Sequence, residues 1–168
     1  YETPPAIPRV GAVYCIYEDQ RWLKSSLESV YQSCEKIYCL VGAKPWNGEG
    51  VDNSATLEIV RTFPDPYGKI ELIQGDWPSE ECQRNAGLDL LESYGLDYCL
   101  IVDADEVYEP AELDGMIKFI SLRRYVPAWR VKLLTYWKSE QYRIEPPESY
   151  RAVNLLRVGK VRFESRRE

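Results

Sequence analysis

The sequence predicts an α/β domain with a mostly parallel central sheet, helices on both faces and small antiparallel strands at the C-terminal end. Three observations predict it. Short apolar runs rich in β-branched and aromatic residues alternate with amphipathic segments of helical period along residues 10 to 122. Such alternation implies right-handed βαβ crossovers and a sheet covered on both sides. The 168 residues suit one domain of this kind, since a chain of this length buries roughly 70% of its unfolded surface.

The elements follow in order. Val10 to Tyr17 (VGAVYCIY) is a buried strand, and Gln20 to Ser33 carries Trp22, Leu23, Leu27, Val30 and Tyr31 at helical spacing. Lys36 to Val41 is a second buried strand, followed by the loop GAKPWNGEGVDN. Ser54 can cap a helix with Leu57, Val60 and Phe63 inward. After the turn DPYG, Lys69 to Gln74 is a third strand. Ser79 caps the next helix, whose first turn is acidic and whose end Gly95 marks. Tyr98 to Val102 is the most hydrophobic strand. Pro110 fits the first turn of a helix burying Leu113, Met116, Ile117 and Ile120. Trp129 to Trp137 alternates as a half-exposed strand, and Ala152 to Leu156 and Lys160 to Phe163 are short strand candidates about Gly159.

Composition narrows the chemistry. Net charge is −6, which speaks against a groove for a nucleic-acid polymer and suits a protein that recruits a cation. The absence of histidine removes Ser-His and Cys-His pairs, His bases and His-ligated zinc. No run of apolar residues is long enough to span a membrane. Five cysteines without a C-x-x-C fit reduced core residues, so a cytoplasmic location is expected.

Ligands of parallel sheets bind beyond the carboxyl ends of the strands. The residues there are Glu18 and Asp19, the loop after residue 41, Gly75 to Trp77, and Asp103 to Glu106. Along an extended backbone residues two apart point the same way, so Asp103 and Asp105 of V-D-A-D-E face one side and Ala104 the other. Two carboxylates roughly 5 Å apart repel by roughly 3 kcal/mol at an effective dielectric of about 20. A divalent cation with oxygen ligands, Mg2+ or Mn2+, would relieve that, and the plain alternative is a solvated acidic turn. Arg84 in Q-R-N-A-G can bridge a diphosphate or pair with the aspartates. Asn85 is poorly suited to a helix interior, and Gly87 there calls for a packing reason. Asp52 can accept from a base N–H or form an Asx turn, and Trp46 can line a pocket. Trp77, Trp129, Trp137, Tyr136 and Tyr142 suit sugar stacking or a core equally well.

Together these segments resemble the family-2 glycosyltransferases, and the resemblance implies their A-type (GT-A), Rossmann-like nucleotide-sugar-binding fold. The matching pieces are VYCIYEDQRWLKSSLESV, DNSATLEIV, QRNAGLD and YCLIVDADEVYEP, in the family's order, within residues 10–122. The resemblance implies a single domain over residues 1–168. Residues 10–122 would bind the nucleotide-sugar, and 123–168 would form part of the acceptor side, as expected of a trimmed portion of a longer protein. It implies that Asp105 coordinates a metal on the donor diphosphate and that Asp103 assists the metal or meets the ribose. Asp52 would meet the base, Tyr17 and Glu18 would form the pocket floor and wall, and Arg84 and Asn85 would face the donor. The K-P-W-N-G insert departs from the family's short acidic turn. The implied activity is metal-dependent transfer of a sugar from a nucleotide-diphosphate sugar, a UDP-sugar by family frequency, to an unknown carbohydrate, lipid-linked or protein acceptor, with inversion. The base is then a carboxylate, and the candidates are Glu140, Glu145, Glu148 and Glu164 or a residue past Glu168, with Glu140 put first because it follows the Trp129 to Trp137 strand. The alternative is a non-catalytic nucleotide- or carbohydrate-binding module of the same fold. A nucleotidyltransferase needs a G-x-G-x-R loop after the first strand, where this chain has Y-E-D-Q-R.

Overall fold

The computed structural model describes residues 6–46, 48, 50, 52–136, 141–146 and 152–164. Four βα pairs come first: β1 (Val10–Ile16), α1 (Leu23–Tyr31), β2 (Lys36–Gly42), α2 (Ser54–Thr62), β3 (Ile70–Gly75), α3 (Glu80–Tyr94), β4 (Tyr98–Val102) and α4 (Pro110–Ser121). Then come β5 (Ala128–Val131) and β6 (Ala152–Arg157). The six strands form one sheet in the order β3-β2-β1-β4-β6-β5. The first four are parallel; β6 pairs antiparallel with β4, and β5 pairs antiparallel with β6 at the edge. The fold is the predicted mixed α/β sheet.

Strand alternation sends neighbouring side chains to opposite faces. From β1, Ala12, Tyr14 and Ile16 join α1 and α4 in one core cluster with Leu23, Leu27, Leu113 and Ile120. Val13 joins the other cluster, where α3 lies on the sheet through Leu88 and Leu91. Gly87 is the close approach in that contact: a Cβ there would overlap Val13. Gly95 closes α3 in the left-handed conformation at φ 84°, with its N–H on Leu91 and Glu92 carbonyls.

Several local expectations change. α1 begins at Leu23 rather than Gln20. Ser54 is the first residue of α2, not its cap; Asn53 holds the cap position with its side chain directed elsewhere. The strand expected over Trp129 to Trp137 ends at Val131, after a register shift between Trp129 and Arg130. Trp137 lies outside the described residues. The segment from Lys160 to Phe163 forms no strand, because it follows α3 instead of the sheet edge.

Candidate functional site

The topology reverses between β1 and β4, which are adjacent while the chain runs on from them toward opposite edges of the sheet, β1 to β2 and β4 to β5, with α1 and α4 packed on the same face. The chain leaves β1 through Tyr17, Glu18 and Asp19, and leaves β4 through Asp103 to Glu106.

The acidic segment is a turn, not an extended continuation of β4. The Glu106 N–H donates to the Asp103 carbonyl at 2.9 Å, and the Asp103 N–H donates to Glu106 Oε2 at 3.2 Å. Strand alternation therefore does not govern Asp103 and Asp105. The turn buries Ala104 at 3% exposure and leaves both aspartates outward. Polar groups beneath fix it. Ser26 on α1 donates to the Glu106 carbonyl at 2.5 Å and shares a hydrogen bond with Tyr14 Oη at 3.0 Å. Asn154 on β6, 4% exposed, donates to the Ile101 carbonyl and to Glu106 Oε2. A single asparagine in the otherwise apolar V-N-L-L run was the sequence signal for this contact.

The carboxylates interact. Burial, then the charges of Asp105 and Asp103, raise the Asp19 carboxyl. Partial desolvation also raises Asp103, outward as it is, with Arg84 opposing and Asp105 reinforcing. Glu106 is pushed up to about 7 by burial and then by Asp103, against hydrogen bonds from the Asp103 N–H and Asn154. The cation at hand is Arg84, whose Nη2 lies 2.5 Å from Glu80 and 3.6 Å from Asp103.

Beside this turn, a cavity of about 190 Å³ opens beyond β1 and β2, lined by Cys15, Tyr17, Gly42, Lys44, Trp46 and Gln83 among others. Gln83, 2% exposed, builds it. Its amide donates to the Leu40 carbonyl at 2.8 Å, and its oxygen accepts from Trp46 Nε1 at 3.0 Å, seating the indole over the cavity. Burial pushes the Cys15 thiol up to about 12, so it is no nucleophile there. A larger open groove of about 580 Å³ runs along α4 over Gly115, Met116 and Phe119, but no parallel strand ends in it.

Asn53 ties the two strand ends together. Its Nδ2 donates to the Gly42 carbonyl and its Oδ1 accepts from the Glu18 N–H, both at 2.6 Å. Glu18 takes a left-handed φ of 47° under that bond. Asp52 forms the Asx turn: its carboxylate accepts from the Ser54 N–H and Oγ, each at 2.8 Å, which lowers its pKa.

The structure thus gathers Tyr17, Glu18, Arg84, Asp103 and Asp105 around one edge of the sheet. Asp52 sits at the start of α2 with both carboxylate oxygens engaged by Ser54. Asn85 is occupied: its Nδ2 donates to the Phe163 carbonyl and its Oδ1 accepts from the Phe163 N–H, both at 2.9 Å. Glu140 and Glu148 lie outside the described residues. Glu145 is ion-paired with Arg143, and Glu164 is exposed. Gln83 and Asn53, which lie in the quoted segments without a role, and Asn154 are polar side chains whose partners are distant in sequence.

Hard carboxylate oxygens in mutual repulsion are the donor set that Mg2+ or Mn2+ takes. Among the described residues no three ligating side chains are gathered to enclose an ion. Asp103 and Asp105 would therefore leave most coordination positions to water and ligand oxygens, as Mg2+ commonly keeps them.

No family model matches the chain, and no curated protein matches it by sequence. Solved structures do. 4-Diphosphocytidyl-2C-methyl-D-erythritol synthase from Anaerococcus prevotii is 13% identical with a TM-score of 0.51, over 89% of this chain and 71% of that one. TarS residues 1–349 from S. aureus is 16% identical with a TM-score of 0.49, over 82% of this chain and 38% of that one. No helix among the described residues is long and apolar enough to cross a membrane. The likeness to the synthase concerns architecture: the chain has the Rossmann-like α/β fold that nucleotidyltransferases and A-type glycosyltransferases share.

Proposed function

We propose that the chain is a glycosyltransferase domain that uses a nucleotide-diphosphate sugar, a UDP-sugar in the first instance, and a divalent cation. The observation that carries this reading is the acidic turn after β4, which meets the exit of β1 at the topological switch point beside the Trp46-covered cavity. A base fits the cavity, with Tyr17 and Trp46 as its aromatic walls. The diphosphate would then lie toward Arg84, Asp103 and Asp105.

Asp103 and Asp105 are the residues that would hold Mn2+ or Mg2+. Such an ion, when bound, would offset the negative charge that develops on the departing diphosphate. Arg84 supplies a second positive charge, which its long, 3.6 Å ion pair with Asp103 can yield to a phosphate oxygen. The acceptor hydroxyl attacks the anomeric carbon from the opposite side, so configuration inverts, and a carboxylate takes its proton. Glu140 is the proposed base.

The reading is tested by melting temperatures with nucleoside diphosphates, with and without Mn2+, and by incubation with UDP-sugars. Binding to the folded state raises the melting temperature by mass action. We expect a Mn2+-dependent rise with UDP and slow release of free sugar. No shift with any nucleoside diphosphate rejects the reading. A shift with full protection of the sugar supports a non-catalytic binding module. The fold likeness to the synthase also raises nucleotidyl transfer, for which pyrophosphate release from a nucleoside triphosphate is the signature. The glycine-free exit of β1, Tyr17 to Arg21, favours sugar transfer over it.

A further inference from the structure

After β6 the chain turns through Gly159, in the left-handed region at φ 72°, and doubles back onto α3. Residues 161–164 pair with no strand, yet they are held at every position that faces the helix. Val161 and Phe163 pack on the cluster around Leu88 and Leu91. Between them Arg162 points to the solvent side of α3, pairing with Asp89 at 2.6 Å and Glu92 at 3.1 Å. The Asn85 carboxamide satisfies both backbone groups of Phe163, a partner 78 residues away. This alternation of apolar and ionic anchors makes the segment a strap across the helix.

The strap delivers the Phe163 ring to the guanidinium of Arg84, whose Cζ lies 5.2 Å from the ring centroid. Arg84 Nε is buried with no hydrogen-bond partner among the described residues, so the ring and its surroundings hold this end of the group by packing alone. The Nη2 end points to Glu80 and Asp103. A long arginine side chain loses much rotamer freedom when held this way, and a ring stacked on one face leaves the edge for planar recognition of phosphate.

We infer that residues 161–164 position Arg84 for the donor diphosphate, with Phe163 and Asn85 as positioning residues that do not touch the ligand. The ligand part of this inference rests on the function proposed above. It also gives Asn85 a different task from facing the donor: Asn85 orders the strap, and the strap orders its sequence neighbour.

The experiment uses the full chain with two readouts. The first is the Arg84 Nε–H cross-peak in a ¹⁵N-correlated NMR spectrum, assigned by its loss in Arg84→Lys. The second is affinity for UDP in the presence of Mn2+. We expect an upfield-shifted Arg84 signal that moves to the ordinary arginine position in Phe163→Leu and is restored in Phe163→Tyr. UDP affinity should fall roughly tenfold in Phe163→Leu and recover in Phe163→Tyr. Asn85→Ala, which loosens the strap without touching the ring, should broaden the signal and weaken UDP similarly. An Arg84 signal unmoved by Phe163→Leu overturns the strap. A signal that moves with UDP affinity unchanged overturns its role in binding. Wild-type protein that binds no UDP overturns the proposed donor, and the role in donor binding with it, while the NMR readout still decides whether the strap holds Arg84.

Discussion

Arg84 Nη2 lies 3.6 Å from Asp103 Oδ1, across from the helix that carries it to the strand end that carries its partner. The pair joins α3 to the acidic turn, and it is loose enough for a phosphate to compete with the carboxylate. Arg84→Ala should weaken Mn2+-dependent UDP binding by about tenfold or more, the range expected for charge-assisted hydrogen bonds. The melting temperature should move less in proportion. A larger loss of stability than of affinity, read by calorimetry on both counts, would make Arg84 structural.

Asp105 is exposed at the second outward position of the turn. Asp105→Ala should leave the fold intact, within about 0.5 kcal/mol for an exposed site. It should abolish the part of nucleotide binding that depends on Mn2+. Titration calorimetry with and without the metal measures the difference, and unchanged affinity rejects a metal role for this carboxylate.

Asn53 carries two short bonds between the exits of β1 and β2. Asn53→Ala leaves the exposed Glu18 N–H to water and the Gly42 carbonyl without that partner, at a cost on the order of 1 kcal/mol. Urea unfolding checks the cost. Because Glu18 holds a left-handed φ under this bond, proteolytic sensitivity near Glu18 should rise as well.

Asp65 gathers the DPYG turn. Its carboxylate accepts from the Lys69 N–H at 2.8 Å, the Ile70 N–H at 2.9 Å and Tyr31 Oη at 2.5 Å. Burial works to raise its pKa, but these hydrogen bonds outweigh burial and hold it below the usual value. A lowered folded-state pKa adds stability that is present above the unfolded value, near 4, and lost as pH falls through the folded value. Asp65→Asn should therefore cost stability by a constant amount from about pH 5 to 8, and the difference from wild type should shrink below about pH 4. Thermal melts across that range test the sign.

Gly87 brings α3 against β1. Gly87→Ala forces a methyl into Val13, an overpacking cost of about 1–3 kcal/mol despite alanine's better helix propensity. A stabilised Gly87→Ala protein, seen by chemical denaturation, would contradict the packing.

The sequence alone determined the order and period of the elements through β4 and α4. The alternation of doubly buried strands with amphipathic helices admits few topologies, and chain handedness selects among them. It also determined which strand ends carry carboxylates, because a parallel sheet brings all its C-terminal ends to one edge. Only the tertiary structure decided what those residues do there. The turn at Asp103 to Glu106 replaced an extended exit because Ser26 and Asn154, from other elements, hold the Glu106 backbone and carboxyl. Asn85 became a bracket for Phe163, and Gln83 a seat for Trp46, through contacts 78 and 37 residues apart. Propensity and periodicity describe neighbours along the chain, whereas a hydrogen bond between distant side chains exists only once the sheet has closed the space between them.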